Sequence, residues 1–212
     1  TDFVLYFRNS LGVTLVAVLI SLVASTLTGY GATRFNFRGK NTFLSFILMT
    51  QMFPSIMLLV PFYKILSVYG LNNSLVGLCI VYVSFTIPFC SWMMVGYFRT
   101  IPTGIDESAA IDGASHLQTF WKIALPLVKP GLVSSAIYAF ITCWNEYMFA
   151  AILLVNDKLK TAAVAIAEMN GYYKIAWNDM MAASLVASVP LIIAFVFMQK
   201  SFISGLTAGA VK

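Results

Sequence analysis

An all-α bundle of membrane-spanning helices is the fold that the sequence predicts, and three observations predict it. Of the 212 residues, 60% are hydrophobic and 10% are charged. The mean hydropathy is +0.86, too apolar for a soluble core that must also carry a wettable surface. Five apolar runs, 11–31, 42–62, 74–96, 131–155 and 180–199, reach the ~20 residues that a helix needs to cross the hydrocarbon. Leu, Val, Ile, Phe, Met and Ala fill them without period-two alternation, which favours helices over the strands of a membrane barrel. We therefore expect a polytopic bundle of five spanning helices in one transmembrane domain, 1–212. It carries one long polar insertion at about 99–130 and a second connection at about 156–179.

The runs differ in their polar residues. Asn9 and Ser10 precede the first and are expected to cap its helix. No charged segment followed by a cleavage site precedes it, so it is not expected to be a secretory signal. Inside it, "SLVAST" (residues 21–26) supplies small side chains that let helices approach closely in lipid. Gln51 and Pro54 lie in the second run and Pro88 in the third; each proline removes a backbone hydrogen bond and should kink its span. Glu146 is the one acid inside a run. Cys79, Cys90 and Cys143 fall within the runs and are odd in number, so they read as small packing residues and not as a disulfide or metal set. The 156–179 connection reads as a short amphipathic helix, a turn at Asn170 and Gly171, and an aromatic patch of Tyr172, Tyr173 and Trp177. That patch suits either an external contact or an interfacial aromatic belt.

The net charge of +5 would suggest nucleic acid in a soluble chain; in a membrane chain, topology explains it better. With each span reversing the side, Arg34, Arg38, Lys40, Arg99, Lys122, Lys129, Lys200 and Lys212 share one side. Arg8, Lys64, Lys158, Lys160 and Lys174 share the other. The positive-inside rule then places the first set, and the 99–130 insertion with it, in the cytoplasm.

That insertion contains "ESAAIDGASHLQTFWKIALPLVKPGL" (residues 107–132). Thr103 and Asp106 have capping-box spacing, and the helix they open should carry Glu107 in its acidic first turn and end at Gly113, which tolerates the left-handed conformation. Ser115 and Gln118 repeat the box for a second helix, which Pro126 should close. Each helix would be about 13 Å long. Ala109, Ala110, Ile111 and Ala114 form an apolar face that needs a partner to cover it.

The spacing of these residues resembles a known family. Glu107, Ser108, Ala109, Gly113, Ile123, Leu125 and Pro126 match the EAA loop of permeases from binding-protein-dependent ABC importers. Ser108 replaces the usual alanine and is small enough to fit. With "IDGA" (111–114), "LPL" (125–127), "WNEYMFA" (144–150), Pro190 and the terminal "GLTAGAVK", the sequence is similar to the carbohydrate-uptake branch and its smaller maltose-type permeases. The resemblance implies a multi-pass protein of the bacterial or archaeal cytoplasmic membrane whose hairpin is a coupling helix seated in a cytoplasmic ATP-binding subunit. On this chain the implied docking residues are Glu107, Ser108, Ala109, Ala110, Asp112, Gly113, Ala114, Ile123, Leu125 and Pro126. It further implies a second homologous permease, an extracytoplasmic sugar-binding protein, and a sixth spanning helix expected upstream of Thr1.

The residues bear on that reading independently. No GxxxxGK[ST] phosphate loop occurs, since "RGKN" (38–41) lacks both the upstream Gly and the magnesium-holding hydroxyl. No cofactor is therefore expected on this chain; ATP and magnesium belong to a partner, and the chain is expected to be a transport subunit and not an enzyme. A single histidine, His116, beside a helix cap, with three buried cysteines, assembles no catalytic or metal set. Gln51, Asn145 and Glu146 are candidate path residues, because polar groups at membrane depth are kept for function or for pairing. An interhelical hydrogen bond suits Gln51 better than a solute contact, and a helix lock with Asn145 suits Glu146 as well as a place on the path. Three rivals stay open: a permease for another small polar solute, a secondary transporter, which would want more intramembrane acids than Glu146, and a scaffold, which leaves Gln51, Pro54 and Pro88 without a role.

Overall fold

The computed structural model describes residues 2–171 and 176–208, with side chains as far as 196. Tyr172 and Tyr173 of the expected aromatic patch lie outside the described residues. Among those residues there are helices and no β-strand, so the all-α class holds.

Two long helices form the centre, α1 (Phe3–Arg34) and α4 (Leu75–Arg99). Their close contact comes from a stripe of small residues at i, i+4 spacing on α1: Ala17, Ser21, Ser25 and Gly29, all buried. Thr86 of α4 donates its hydroxyl to the Tyr82 carbonyl at 2.8 Å. Ser21 Oγ lies 2.6 Å from Thr86 Oγ1, so Ser21 is the donor of that interhelical bond. A Cβ on Gly29 would come within 2.8 Å of Met94 Cβ, which is why only glycine fits there. All three cysteines are buried among neighbouring helices.

The second run is not one helix. α2 (Lys40–Gln51) stops before Pro54, a 3-10 turn follows (Ser55–Leu58), and α3 (Leu59–Val68) leaves at 96° to α2. Pro54 is extended, with ψ 123°, and carries no N–H with which to continue α2. Pro88 behaves differently: α4 runs unbroken through it. α4 packs against α1, α2 and α8 (Lys129–Trp144), and such neighbours hold a helix together across a missing bond.

The fourth run also departs from expectation. α8 ends at Trp144, and a separate α9 (Met148–Leu153) follows after Asn145–Tyr147. Polar side chains compete with the helix there: Asn145 Nδ2 donates to the Ile141 carbonyl at 3.0 Å, and the Glu146 carboxylate takes the Phe149 and Ala150 amides. The chain closes with α10 (Ala162–Glu168) and α11 (Trp177–Ala208). Trp144 Nε1 ties α8 to α11 by donating to the Ala187 carbonyl at 3.1 Å. Among the described residues, three helices are long and apolar enough to cross a membrane alone, and up to five spans result if each bent pair counts as one.

Asn9 and Ser10 do not cap α1, which begins six residues before Asn9, at Phe3. They lie inside it and hold the 156–168 connection. Asn9 Nδ2 donates to the carbonyls of Lys158 (2.9 Å) and Lys160 (3.1 Å), and Ser10 Oγ accepts from the Ala162 amide at 2.8 Å. Nearby, Lys160 Nζ sits between Asp157 (2.6 Å) and Glu168 (2.7 Å). Hydrogen bonding to Asp157 first, then to Glu168, raises its pKa above the ordinary lysine value.

Candidate functional site

The polar insertion folds as the expected hairpin, with changes of detail that define its surface. α5 (Thr103–Ile111) has Pro102 at its N-cap and no side-chain cap. The Thr103–Asp106 box does not form, because Pro102 and not Thr103 is the N-cap; Asp106 instead forms an ion pair, with Arg34 Nε, at the end of α1, 2.8 Å from Asp106 Oδ2. Asp106 is the acid of the first turn, and Glu107 follows it, exposed. Ser108 Oγ donates to the Gly104 carbonyl at 2.8 Å, so serine satisfies its hydroxyl within the helix.

Gly113 ends α5 with φ +80°. Its amide donates to the Ala110 carbonyl (3.1 Å), and the Ala114 amide to that of Ala109 (2.9 Å), the paired bonds of a Schellman ending. Ser115 and Gln118 then form the expected reciprocal box: Gln118 Oε1 accepts from the Ser115 amide at 2.8 Å, and Ser115 Oγ from the Gln118 amide at 3.3 Å.

The second helix does not close at Pro126. It runs through α6 (His116–Thr119), a π turn (Phe120–Ala124) and α7 (Leu125–Leu127). The Leu125 amide reaches back five residues to the Phe120 carbonyl, and the widened turn lets the Pro126 ring clear the Lys122 carbonyl four residues back. The axis bends only after Leu127, by 73° into α8.

The expected apolar face is split. Ala109 is buried and Ala114 half-buried, whereas Ala110, Asp112 and Gly113 are exposed and Ile111 is 87% exposed. Ile123 and Leu125 are half-buried and Pro126 is exposed. Two residues outside the expected set complete the open surface, Leu117 (68% exposed) and Trp121 (59%). Their i, i+4 spacing on the second helix is the signal that finds them.

A second polar location lies between the two broken runs, in a cavity of about 320 Å³. Gln51, Tyr138, Thr142 and Glu146 line it together with Phe53 and Phe85. Gln51 Nε2 donates to the Phe85 carbonyl at 3.4 Å. Glu146 Oε1 accepts from the Phe149 amide (2.8 Å), and its Oε2 from the Ala150 amide (3.1 Å) and the Tyr82 hydroxyl (3.2 Å). The carboxylate thus opens α9 and ties it to α4 while facing the cavity. Asn145 is not in this group; it borders a separate cavity of about 190 Å³ with Trp144, Ser184 and Ser188. Tyr138 and Thr142 were not anticipated, although their four-residue step puts them on one face of α8, in line with Glu146 just beyond its end. A concavity of about 850 Å³ between α1 and α4 contains none of the candidate path residues.

Comparison with known proteins bears on both locations. Residues 21–207 match the family described as binding-protein-dependent transport system inner membrane component, a stretch that includes the hairpin and the cavity. The chain is 37% identical over 208 residues to the trehalose/maltose transport system permease protein MalG of Thermococcus litoralis, covering 98% of this chain and 75% of that protein. It is 36% identical over 208 residues to the maltodextrin transport system permease protein MdxG of Bacillus subtilis, with the same coverage of each. A solved bacterial ABC transporter involved in import of the acidic polysaccharide alginate has a similar chain, with a TM-score of 0.81 at 25% identity over 94% of this chain and 75% of that one. With its residues matched from the middle of α1 to the end of α11, and with identities of this size across nearly its whole length, this membrane-embedded chain belongs to the family of binding-protein-dependent transport system inner membrane components.

Proposed function

We propose that this chain is the permease subunit of an ATP-driven importer that carries a sugar or oligosaccharide across the cytoplasmic membrane of a bacterium or archaeon by alternating access. One observation carries the reading. The hairpin of a membrane chain leaves Ile111, Leu117 and Trp121 open beside the acidic Glu107. A cluster of exposed apolar anchors with a charged rim suits a protein partner. That partner is a cytoplasmic dimer of ATP-binding subunits, which holds the ATP and magnesium, and Glu107, Ser108, Ala110, Asp112, Gly113 and Pro126 face it. Ala109, Ala114, Ile123 and Leu125 support the docking surface from within.

A second, homologous permease completes the pathway, and an extracytoplasmic sugar-binding protein delivers the solute to the opposite end. Membership of the family displaces the secondary transporter and the scaffold. The mixed lining of the 320 Å³ cavity, aromatic rings beside Gln51 and Glu146, supports a place on the solute path, since aromatic faces and hydrogen-bonding groups together suit a sugar. Asn145 serves as a helix stop. Co-purification from the native membrane, with mass spectrometry of the subunits and bound glycan, followed by ATPase assays in proteoliposomes, tests the reading. We expect an ATP-binding subunit to co-purify and hydrolysis to rise with sugar-loaded binding protein. Uptake driven by an ion gradient without ATP would overturn it.

A further inference from the structure

We infer that Arg34 and Asp106 are positioning residues, the joint through which α1 carries the hairpin's movement to the opposite end of the molecule. The inference rests on the hairpin being the ATPase-docking element. Arg34 is the last residue of α1, and its guanidinium ties that end to α5 and to the link that precedes α5. Nε pairs with Asp106 of α5 at 2.8 Å, while Nη2 donates to the carbonyl of Ile101, between α4 and α5, at 3.2 Å. The side chains are only 8% and 23% exposed, so water screens the pair less than it would a surface contact.

Tyr30, one turn earlier on α1, grips the other hairpin helix. Its hydroxyl donates to the His116 carbonyl at 3.4 Å, and its ring meets Phe120 edge-on at 4.9 Å and Phe98 at 5.6 Å. Both arms of the hairpin are therefore fastened to the same end of α1. At the other end of α1, Asn9 and Ser10 hold the backbone of Lys158, Lys160 and Ala162. A continuous helix of 32 residues spans about 48 Å at 1.5 Å per residue. It joins the hairpin to the connection on the far side as one rod with a joint at each end. Arg34 and Asp106 do not face the docking surface, so their part is to make α1 follow the hairpin.

The test uses the complete importer in proteoliposomes and reads solute delivered per ATP hydrolysed. Arg34→Gln and Asp106→Asn should each lower that ratio about fivefold or more, the ordinary size of a coupling effect, with ATP-binding subunit still bound. The exchange Arg34→Asp with Asp106→Arg should recover most of the loss, which a purely destabilising change would not. A second measurement needs no assembly: spin labels at Asn36→Cys and Lys122→Cys, both exposed, report the spread of distances between the end of α1 and the hairpin. Each single variant should broaden that distribution and the exchange should narrow it. An unchanged delivery ratio in both single variants, or an unchanged distance distribution, overturns the joint. Failure of the wild-type chain to bring down an ATP-binding subunit would instead overturn the docking reading, and the label distances would still decide the joint.

Discussion

Gly113 holds φ +80° with open space around the position of a Cβ, so a larger residue there strains the backbone without a steric clash. Gly113→Val should cost roughly 1–3 kcal/mol of local strain and turn the second helix away from the first, while the spans keep their own backbone bonds and stay inserted. We expect normal membrane levels with loss of sugar-stimulated ATP hydrolysis; wild-type hydrolysis in proteoliposomes would refute the hairpin's role. Glu146 poses the opposite case, a carboxylate with three donors on it. Glu146→Gln keeps the shape but replaces one acceptor oxygen with a donor, at a cost of about 1–3 kcal/mol. Faster hydrogen exchange at the Phe149 and Ala150 amides, together with reduced uptake, is the expected result. Gln51→Ala, by contrast, loses one long bond at an exposed site and should alter uptake without altering protein level. Gly113 and Ser115 were legible in the sequence because their geometry is local. Asp106 was not, since its ion pair with Arg34 joins residues 72 positions apart, and which cation the fold brings near is not a local property.

At the scale of elements, the two prolines show what a sequence pattern leaves undecided. Pro54 ends α2 and Pro88 leaves α4 whole, although each removes the same backbone bond. The difference is packing: α4 lies among three helices, whereas the residues around Pro54 are exposed. The break after Trp144 likewise follows from side chains that take backbone partners, which hydrophobicity does not register. The hairpin was legible from Gly113 and the Ser115–Gln118 box, although the Thr103–Asp106 box did not form, and the exposure of the anchors Leu117 and Trp121 followed only from Tyr30 of α1 taking the opposite face of the second helix. If those anchors seat in an ATP-binding subunit, Trp121→Ala and Ile111→Ala should each weaken its binding by about 1–2 kcal/mol, or roughly tenfold. Titration of the detergent-solubilised permease pair with the purified subunit measures this, and unchanged affinity in both would move the docking surface elsewhere.

For the whole molecule, charge and fold agree on two ends. Arg34, Asp106 and His116 gather where α1 finishes, and Asn9, Lys158 and Lys160 gather near where it starts. The cations that alternation assigns to one side, Arg34, Arg99 and Lys122 among them, belong to the segments that meet at the hairpin end; Arg8, Lys158 and Lys160 belong to the other. The positive-inside rule puts the hairpin end on the cytoplasmic side, the side on which the proposed ATP-binding subunit would dock. Single cysteines test this directly, because the native Cys79, Cys90 and Cys143 are buried and should react slowly. Gly39 is unsuitable as a site, its φ of +89° straining any side chain, but Asn36 lies in the same exposed loop and Asn170 is exposed beyond α10. With a membrane-impermeant thiol reagent, Asn170→Cys should label in intact spheroplasts and Asn36→Cys only after the cells are opened. If both label from the same side, the chain crosses the membrane an even number of times between them. Because Arg34 and Asp106 keep the hairpin on the side of Asn36, the second bent pair (His116–Trp144) then fails to span, and the hairpin loses its place opposite the Asn170 face.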